Sequence, residues 1–356
     1  MDGDLTSQAC VPAGTRGAAN VVARAAGVVA GLATVHETFS QVDDRIEVRA
    51  EVSDGDRVRA GEVIARVQGP LRSILAGERT ALNLLGHLSG IATTTRAFVD
   101  AVAGTGCVVR DTRKTMPGLR LLEKAAVVAG GGRSHRLGLH DALLVKDSHI
   151  VAAGGVGAAT RSALARVGER PVQVEVTNLR EVDEALAAGA ADLLMDNLPP
   201  DDVRRAVAAA AGGAAVEASG GITLANVRAY AEAGADRVAV GALTHSAPWF
   251  DVALELDVTS VTSAFSEPAT REAGSSVAAA GGEIAAPLAP EPPPRDEELV
   301  LLAPEPDPGD DPVVLVEDLR EVRLFDAHGD DVELVVDHEG TASGDEASDL
   351  PDESAG

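Results

Sequence analysis

Lysine is nearly absent from this chain. Three occur in 356 residues, Lys114, Lys124 and Lys146, against 27 arginines. With the acidic surplus, that bias associates with a salt-adapted proteome and GC-rich coding, and it makes three lysines kept in one short region conspicuous. Cysteine is as scarce: Cys10 and Cys107 stand alone, without C-x-x-C spacing. Neither a disulfide framework nor a thiolate zinc site is therefore expected. No apolar run is long and uninterrupted enough to cross a bilayer, and the N-terminus has no basic region ahead of an apolar core. A cytoplasmic location is the expectation. Positive charge is also short, with 30 Lys and Arg against 56 Asp and Glu, a formal net of -26. Such a surface repels nucleic acid and anionic membrane, so neither is expected as a partner. An anionic substrate would need a local cationic pocket.

The charge is unevenly spread. Residues 1–257 hold 31 acidic and 26 basic side chains, a net of -5, whereas residues 258–356 hold 25 and 4, a net of -21. Residues 258–310 are rich in Ala, Ser, Gly, Pro and Glu and read as an extended, self-repelling linker. Residues 311–356 form an acidic tail, in which short β-prone runs around an HGDD turn suggest a small hairpin module. No catalytic constellation stands out there; His328 and His338 read as solvated turn residues rather than metal ligands.

Residues 1–105 divide differently from the remainder. The stretch 18–67 is β-prone, with turns at SDGD and RAG. Its segment RAEVSDGDRVRAGEVIARVQG looks like the paired-strand edge of a biotinyl or lipoyl carrier, but 18–67 contains no lysine to modify. A structural sandwich is the better reading. Apolar positions at helical spacing then run through 74–103. From residue 106 to 257 short strands alternate with helices: CVVRDT, ALLVKD, PVQVEVT, LLMDN, AAVEASG and RVAVGA are the strands. This alternation predicts parallel β-α crossovers, and six strands predict an incomplete α/β barrel.

In such a barrel the strand ends converge on the face that carries active sites. Those ends are charged here: Asp111, Arg113 and Lys114 in DTRKT, then Lys146, Glu175 and Asp196. One such residue is easily a salt-bridged rim residue, but successive strands repeating the feature weaken that reading. SHRLGL adds His135 and Arg136, and AGERTAL adds Arg79. Several guanidiniums with lysines suit carboxylates, since Arg binds them bidentately. Glu175 and Asp196, anionic among cations, suit Mg²⁺ that neutralises a diphosphate. Ser219, Gly220 and Gly221 follow a strand directly before a predicted helix, and Gly241 with Ala242 follows the last strand. Paired small-residue loops after the last two strands predict a phosphate cradle.

These segments together, with GDLTS, ERTALNLLGHLSGIAT, DTRKTMPGLRLLEKAAV and VAVGALTHSAPWFDVALELD, resemble the quinolinate phosphoribosyltransferase family, the carboxylating nicotinate-nucleotide pyrophosphorylases. The resemblance spans residues 3 to 257. It implies an N-terminal α/β-sandwich domain (1–105), a six-stranded incomplete α/β barrel (106–257) and an intimate homodimer with shared active sites. It further implies transfer of phosphoribosyl from 5-phosphoribosyl 1-diphosphate to quinolinate, yielding nicotinate mononucleotide, diphosphate and CO2 in NAD biosynthesis, with Mg²⁺. On that basis Arg113, His135, Arg136 and Lys146 clamp the quinolinate carboxylates, joined by Arg79 from the partner. Lys114 touches acid and diphosphate; Glu175 and Asp196 serve ribose and metal, with Asn197 nearby. Ser219, Gly220, Gly221, Gly241 and Ala242 receive the 5-phosphate, supported by His245.

There are departures. The family's usual chain carries a helix ahead of GDLT, whereas this sequence begins almost at GDLT, which puts the first residue and the interface in question. Ser134 and Ser148 stand where the family has Asn, and the chain from residue 258 onward lies outside the family pattern. Rival readings are a nicotinate phosphoribosyltransferase that does not decarboxylate, a similar protein associated with molybdenum transport, and a non-catalytic barrel binding module. The crowded cations favour a dicarboxylate, and retention of both clamp and carboxylates favours an enzyme.

Overall fold

A computed structural model describes residues 3–166, 168 and 170–262, and the backbone of 322–325 and 331–334. The chain divides into two units, Asp2–Glu267 and a second that comprises Met1 with Pro268–Gly356. In the second unit β13 (Val322–Phe325) and β14 (Asp331–Leu334) pair antiparallel, Val322 opposite Leu334. The expected linker at 258–310 lies outside the described residues beyond Thr262, as do His328 and His338.

The first unit opens with α1 (Leu5–Cys10), capped by Asp4, whose carboxylate accepts the Ser7 N–H at 3.0 Å. A four-stranded antiparallel sheet follows, ordered β12 (Val252–Thr262), β1 (Arg16–Ala23), β5 (Val63–Pro70), β3 (Glu47–Ala50). A two-stranded ribbon of β2 (Gly27–Val28) and β4 (Arg57–Val58) lies apart from it. Two helices, α2 (Leu32–Val42) and α3 (Leu71–Ala101), complete this region. The β-prone stretch 18–67 is not strand throughout, because α2 interrupts it. Its Val35 and Phe39, one turn apart, are buried, and Phe39 packs on α3 at Gly77. β12 is the second difference. Residues 252–257, grouped with the barrel by sequence, pair with β1, Val21 opposite Leu254.

The barrel strands are β6 (Val108–Arg110), β7 (Leu143–Val145), β8 (Val172–Val176), β9 (Asp192–Asp196), β10 (Ala215–Ser219) and β11 (Arg237–Ala239). They form one parallel sheet ordered β6-β11-β10-β9-β8-β7. First and last strands meet; first and second do not. That seam is where an incomplete barrel stays open, and one isolated bridge, Arg110 to Arg133, runs parallel along its β6 side. Every residue of β8 is buried, as expected for a strand covered on both faces. Between strands run α4 (Arg120–Ala129), α5 (Asp147–Ala153), α6 (Val156–Arg166), α7 (Leu179–Ala187), α8 (Pro200–Ala210), α9 (Val227–Glu232) and α10 (Ala242–His245). Local signals set their starts: Asn178 caps α7 by accepting the Glu181 N–H at 3.0 Å, and Pro200 with Asp201 and Asp202 opens α8.

One helix binds the two cores together. The first half of α3 contributes Ile74, Leu82 and Leu85 to the core of the antiparallel sheet, and its second half contributes Leu88, Ile91 and Phe98 to the barrel core. At 1.5 Å per residue its 31 residues extend about 46 Å. Among the described residues no helix is long and apolar enough to cross a membrane.

Candidate active site

The polar floor of the barrel comes from strand alternation. In β8 and β10, Gln173 and Glu217 alternate with Val172, Val174, Val216 and Ala218, which belong to the apolar core on the helix side. The Glu217 carboxylate is fully buried. It accepts from Arg110 at 2.9 Å and Gln173 at 2.6 Å, and lies 3.3 Å from Arg237. Arg237 also pairs with Asp192, which takes a hydrogen bond from Gln173 at 3.0 Å. Burial raises the Asp192 pKa. Gln173 Oε1 in turn faces His135 Nε2 at 3.0 Å, and His135 Nδ1 accepts the Arg136 N–H at 2.7 Å. That leaves His135 as the neutral Nε2–H tautomer. Burial lowers its pKa to about 4. A neutral imidazole can donate a hydrogen bond but brings no charge to the site.

Above this floor the strand ends gather most of the expected residues. Lys146, just past β7, donates to Glu175 of β8 at 2.6 Å. Asp196 ends the neighbouring β9 and accepts from Asn197 at 2.8 Å. Asn197 sits at φ 56°, and its N–H donates to Ser219 O at 2.8 Å, which ties the ends of β9 and β10. Gly220, at φ 84°, lies so close that a Cβ there would stand 2.2 Å from Asn197 Oδ1; Gly221, at φ 61°, faces open space. Past β11, the single turn α10 folds His245 back on Gly241. A Cβ on Gly241 would be 3.2 Å from the His245 ring and 3.3 Å from Lys114 Cδ. Thr244 of the same turn, buried, donates to Lys114 O at 2.7 Å and anchors the DTRKT loop.

Arg136 stands close enough to Arg113 to feel its charge. Burial and then the nearby positive charge of Arg113 lower the Arg136 pKa. Among the described residues neither guanidinium has a carboxylate within 4.0 Å. Two like charges held near each other, offset only by the more distant Asp141, favour an anion between them. A cavity of about 240 Å³ reaches Arg136 and His135 and is also lined by Arg110, Asp141, Gln173 and Asp192. A larger groove of about 670 Å³, beside β2, β4 and α3, contains none of the expected site residues.

One expectation needs adjustment. Gly220 and Gly221 do not lie directly before a helix: α9 starts at Val227, after a turn in which Asn226 accepts from Thr223 N and donates to Gly221 O. Arg79 lies on the first half of α3, exposed and 3.8 Å from Glu78, and among the described residues makes no hydrogen bond or ion pair with the strand-end residues of its own chain. No group of three or more His, Cys, Asp or Glu side chains suited to a metal converges among the described residues. Sequence reasoning gave no role to Thr244, Gln173 and Glu217. Polar residues at alternate positions of buried strands were the available signal for the last two.

Comparison with known proteins finds likeness along most of the first unit. The quinolinate phosphoribosyl transferase N-terminal domain model matches residues 4–89, and the C-terminal domain model matches 91–255. Their junction falls inside α3. The nicotinate-nucleotide pyrophosphorylase [carboxylating] of Mycobacterium leprae is 46% identical over 260 residues, covering 71% of this chain and 91% of that protein. A probable enzyme of the same name from Bacillus subtilis is 42% identical, covering 71% and 88%. The structure of the nicotinate-nucleotide pyrophosphorylase from Francisella tularensis superposes with a TM-score of 0.69 at 38% identity, covering 72% and 90%.

Proposed function

The chain belongs to the quinolinate phosphoribosyltransferase family, and from that premise we propose that it converts quinolinate and 5-phosphoribosyl 1-diphosphate to nicotinate mononucleotide, diphosphate and CO2. The observation that carries the reading is the Arg113–Arg136 pair, neither guanidinium in an ion pair among the described residues, with Lys114 next to Arg113 in the loop after β6 and Lys146 just past β7. A monocarboxylate leaves much of that charge unmatched; a dicarboxylate matches it.

Binding orders the reactants. Arg113 and Arg136 take the carboxylates by bidentate contacts, and a substrate carboxylate competes with Glu175 for Lys146. Released from Lys146, Glu175 joins Asp196 in facing the positive charge that builds on the ribose as diphosphate leaves. Backbone amides at Ser219, Gly220, Gly221, Gly241 and Ala242 receive the 5-phosphate, with His245 alongside. Lys114 lies between the acid and diphosphate ends. The work is positioning and charge, without a covalent nucleophile. Loss of CO2 follows from an adduct whose ring nitrogen is positively charged and draws the electron pair.

The donor set fits Mg²⁺ shared with substrate. Glu175 and Asp196 lie at neighbouring strand ends, and few protein carboxylates is the usual count when phosphate oxygens complete the shell. A bound Mg²⁺ would neutralise the leaving diphosphate. Arg79, exposed and unbonded to its own strand-end residues, belongs in this reading to the site of a partner copy, which makes the active species a homodimer.

The test incubates purified protein with 5-phosphoribosyl 1-diphosphate, Mg²⁺ and either quinolinate or nicotinate, following mononucleotide and CO2 together. Equal yields of both products from quinolinate, with nicotinate inert, are expected. Turnover of nicotinate alone would replace this reading with the non-decarboxylating one.

A further inference from the structure

The third lysine, Lys124, lies next to the site without reaching it. Its side chain is 4% exposed and its Nζ donates to Asp111 Oδ1 at 2.6 Å and to His135 O at 3.2 Å. The same Asp111 oxygen accepts the His135 N–H at 2.7 Å. His135 is therefore held at both its main-chain N–H and its C=O by one buried ion pair. Arg110 adds a contact to Ser134 O at 3.2 Å, and Asp111 N reaches Arg133 O at 3.3 Å. Residues 133–135 thus run beside β6 as a short substitute strand along the open seam of the barrel, and Arg136 follows directly.

Electrostatically this is an expensive place for a pair. Burial raises the Asp111 pKa and lowers that of Lys124, each opposed by attraction to the other. Asp111 Oδ2 has no hydrogen-bond partner. Replacing a buried ion pair by apolar residues is often neutral or stabilising, so stability is a poor reason for this one. What it supplies is geometry. A barrel closed between β6 and β7 would fix 133–136 by a strand ladder, but here the seam is open, and two side chains do that work.

We propose that Lys124 and Asp111 are positioning residues for the acid-binding arm of the site: by bracketing the His135 backbone they set where Arg136 stands relative to Arg113. The proposal rests on the quinolinate reading above. Lysine rather than arginine suits position 124, because a compact ammonium can point at an aspartate and a carbonyl within a space that leaves the side chain 4% exposed.

The test uses the full chain and the double variant Asp111→Leu/Lys124→Met, which removes both bracketing contacts and leaves no lone buried charge. Quinolinate KM, and the Kd for quinolinate alone, are expected to rise tenfold or more, since displacement of a binding group by about 1 Å has large effects. The KM for 5-phosphoribosyl 1-diphosphate should stay within about twofold, a split that general loosening of the fold does not produce. Amide hydrogen exchange at 133–136 should quicken. A folded double variant with quinolinate KM and Kd within about twofold of the parent overturns the proposal, as does an equal rise in both KM values. If the double variant does not fold, Asp111→Asn decides in the same assay. It keeps an acceptor for the His135 N–H but weakens the hold on Lys124, and a quinolinate KM raised at least about threefold is expected. A smaller change overturns the idea. Failure of the parent protein to turn over quinolinate would instead defeat the functional reading, and would do so before any variant was made.

Discussion

Two adjacent glycines offer a controlled measurement of how the phosphate end of the site is built. Gly220 and Gly221 both have positive φ, at 84° and 61°, so an alanine at either meets the left-handed penalty of roughly 1–2 kcal/mol. Only Gly220 meets a second obstacle. Its added Cβ would lie 2.2 Å from Asn197 Oδ1, 2.5 Å from Cγ and 2.9 Å from the backbone nitrogen. The side chain can rotate away. The nitrogen cannot, because its N–H is bonded to Ser219 O at 2.8 Å. Stretching that bond costs about 1 kcal/mol, and re-aiming Asn197 about as much again. Gly220→Ala should therefore cost about 3.5 kcal/mol and Gly221→Ala about 1.5 kcal/mol. For a unit of this size the two correspond to Tm losses of roughly 7–14 °C and 3–6 °C. Scanning calorimetry on both variants gives the difference, and steady-state kinetics should show the KM for 5-phosphoribosyl 1-diphosphate rising more in Gly220→Ala. Equal Tm losses would refute the Asn197 interlock, because backbone strain is common to both sites and only the contact differs.

Three further outcomes follow from the site. Lys146→Ala and Arg113→Ala should each lower kcat/KM by at least about a hundredfold with Tm within a few degrees, and near-normal turnover in a folded variant removes that residue from the clamp. Glu217→Ala leaves the Arg110 guanidinium without its buried carboxylate partner and should cost about 3–5 kcal/mol in urea unfolding, whereas a loss under about 1 kcal/mol would mean water replaces the carboxylate. His135 is neutral in the folded chain with a pKa of about 4 against 6.5 ordinarily, so as pH falls through that window the unfolded chain takes up a proton that the folded one refuses. Stability should fall by up to about 3 kcal/mol between pH 6.5 and 4, and His135→Gln should flatten that slope. Parallel stability–pH curves for the two proteins would exclude His135 as the source.

The parallel strands were legible in the sequence because their signal is local. PVQVEVT alternates valine with polar residues and LLMDN is a short apolar run that ends in polar ones, and both are patterns a buried strand of a βα unit can show. The strand-end charges were legible for the same reason: a residue at the end of such a run has little choice of where to lie. α2 was not. LATVHETFSQV is rich in β-branched residues, which favour strands, and only burial of Val35 and Phe39 on one face against α3 makes a helix the better state.

What the sequence by itself determined, then, was the inventory: a body of nearly balanced charge, six β-α units, and cations set among two carboxylates and glycine-rich loops. Only the tertiary structure decided who pairs with whom. Lys146 and Glu175 are 29 positions apart, Arg110 and Glu217 are 107 apart, and Lys124 reaches Asp111 and His135 across an open seam. None of these pairings has a local signature, because each depends on which strands become neighbours. The order β6-β11-β10-β9-β8-β7 brings the first strand beside the last and leaves the second apart. The state of His135 was decided there too. SHRLGL says nothing of the histidine's charge; burial beside Gln173 keeps it neutral, since desolvation is a property of the fold around a residue and not of its neighbours in the chain.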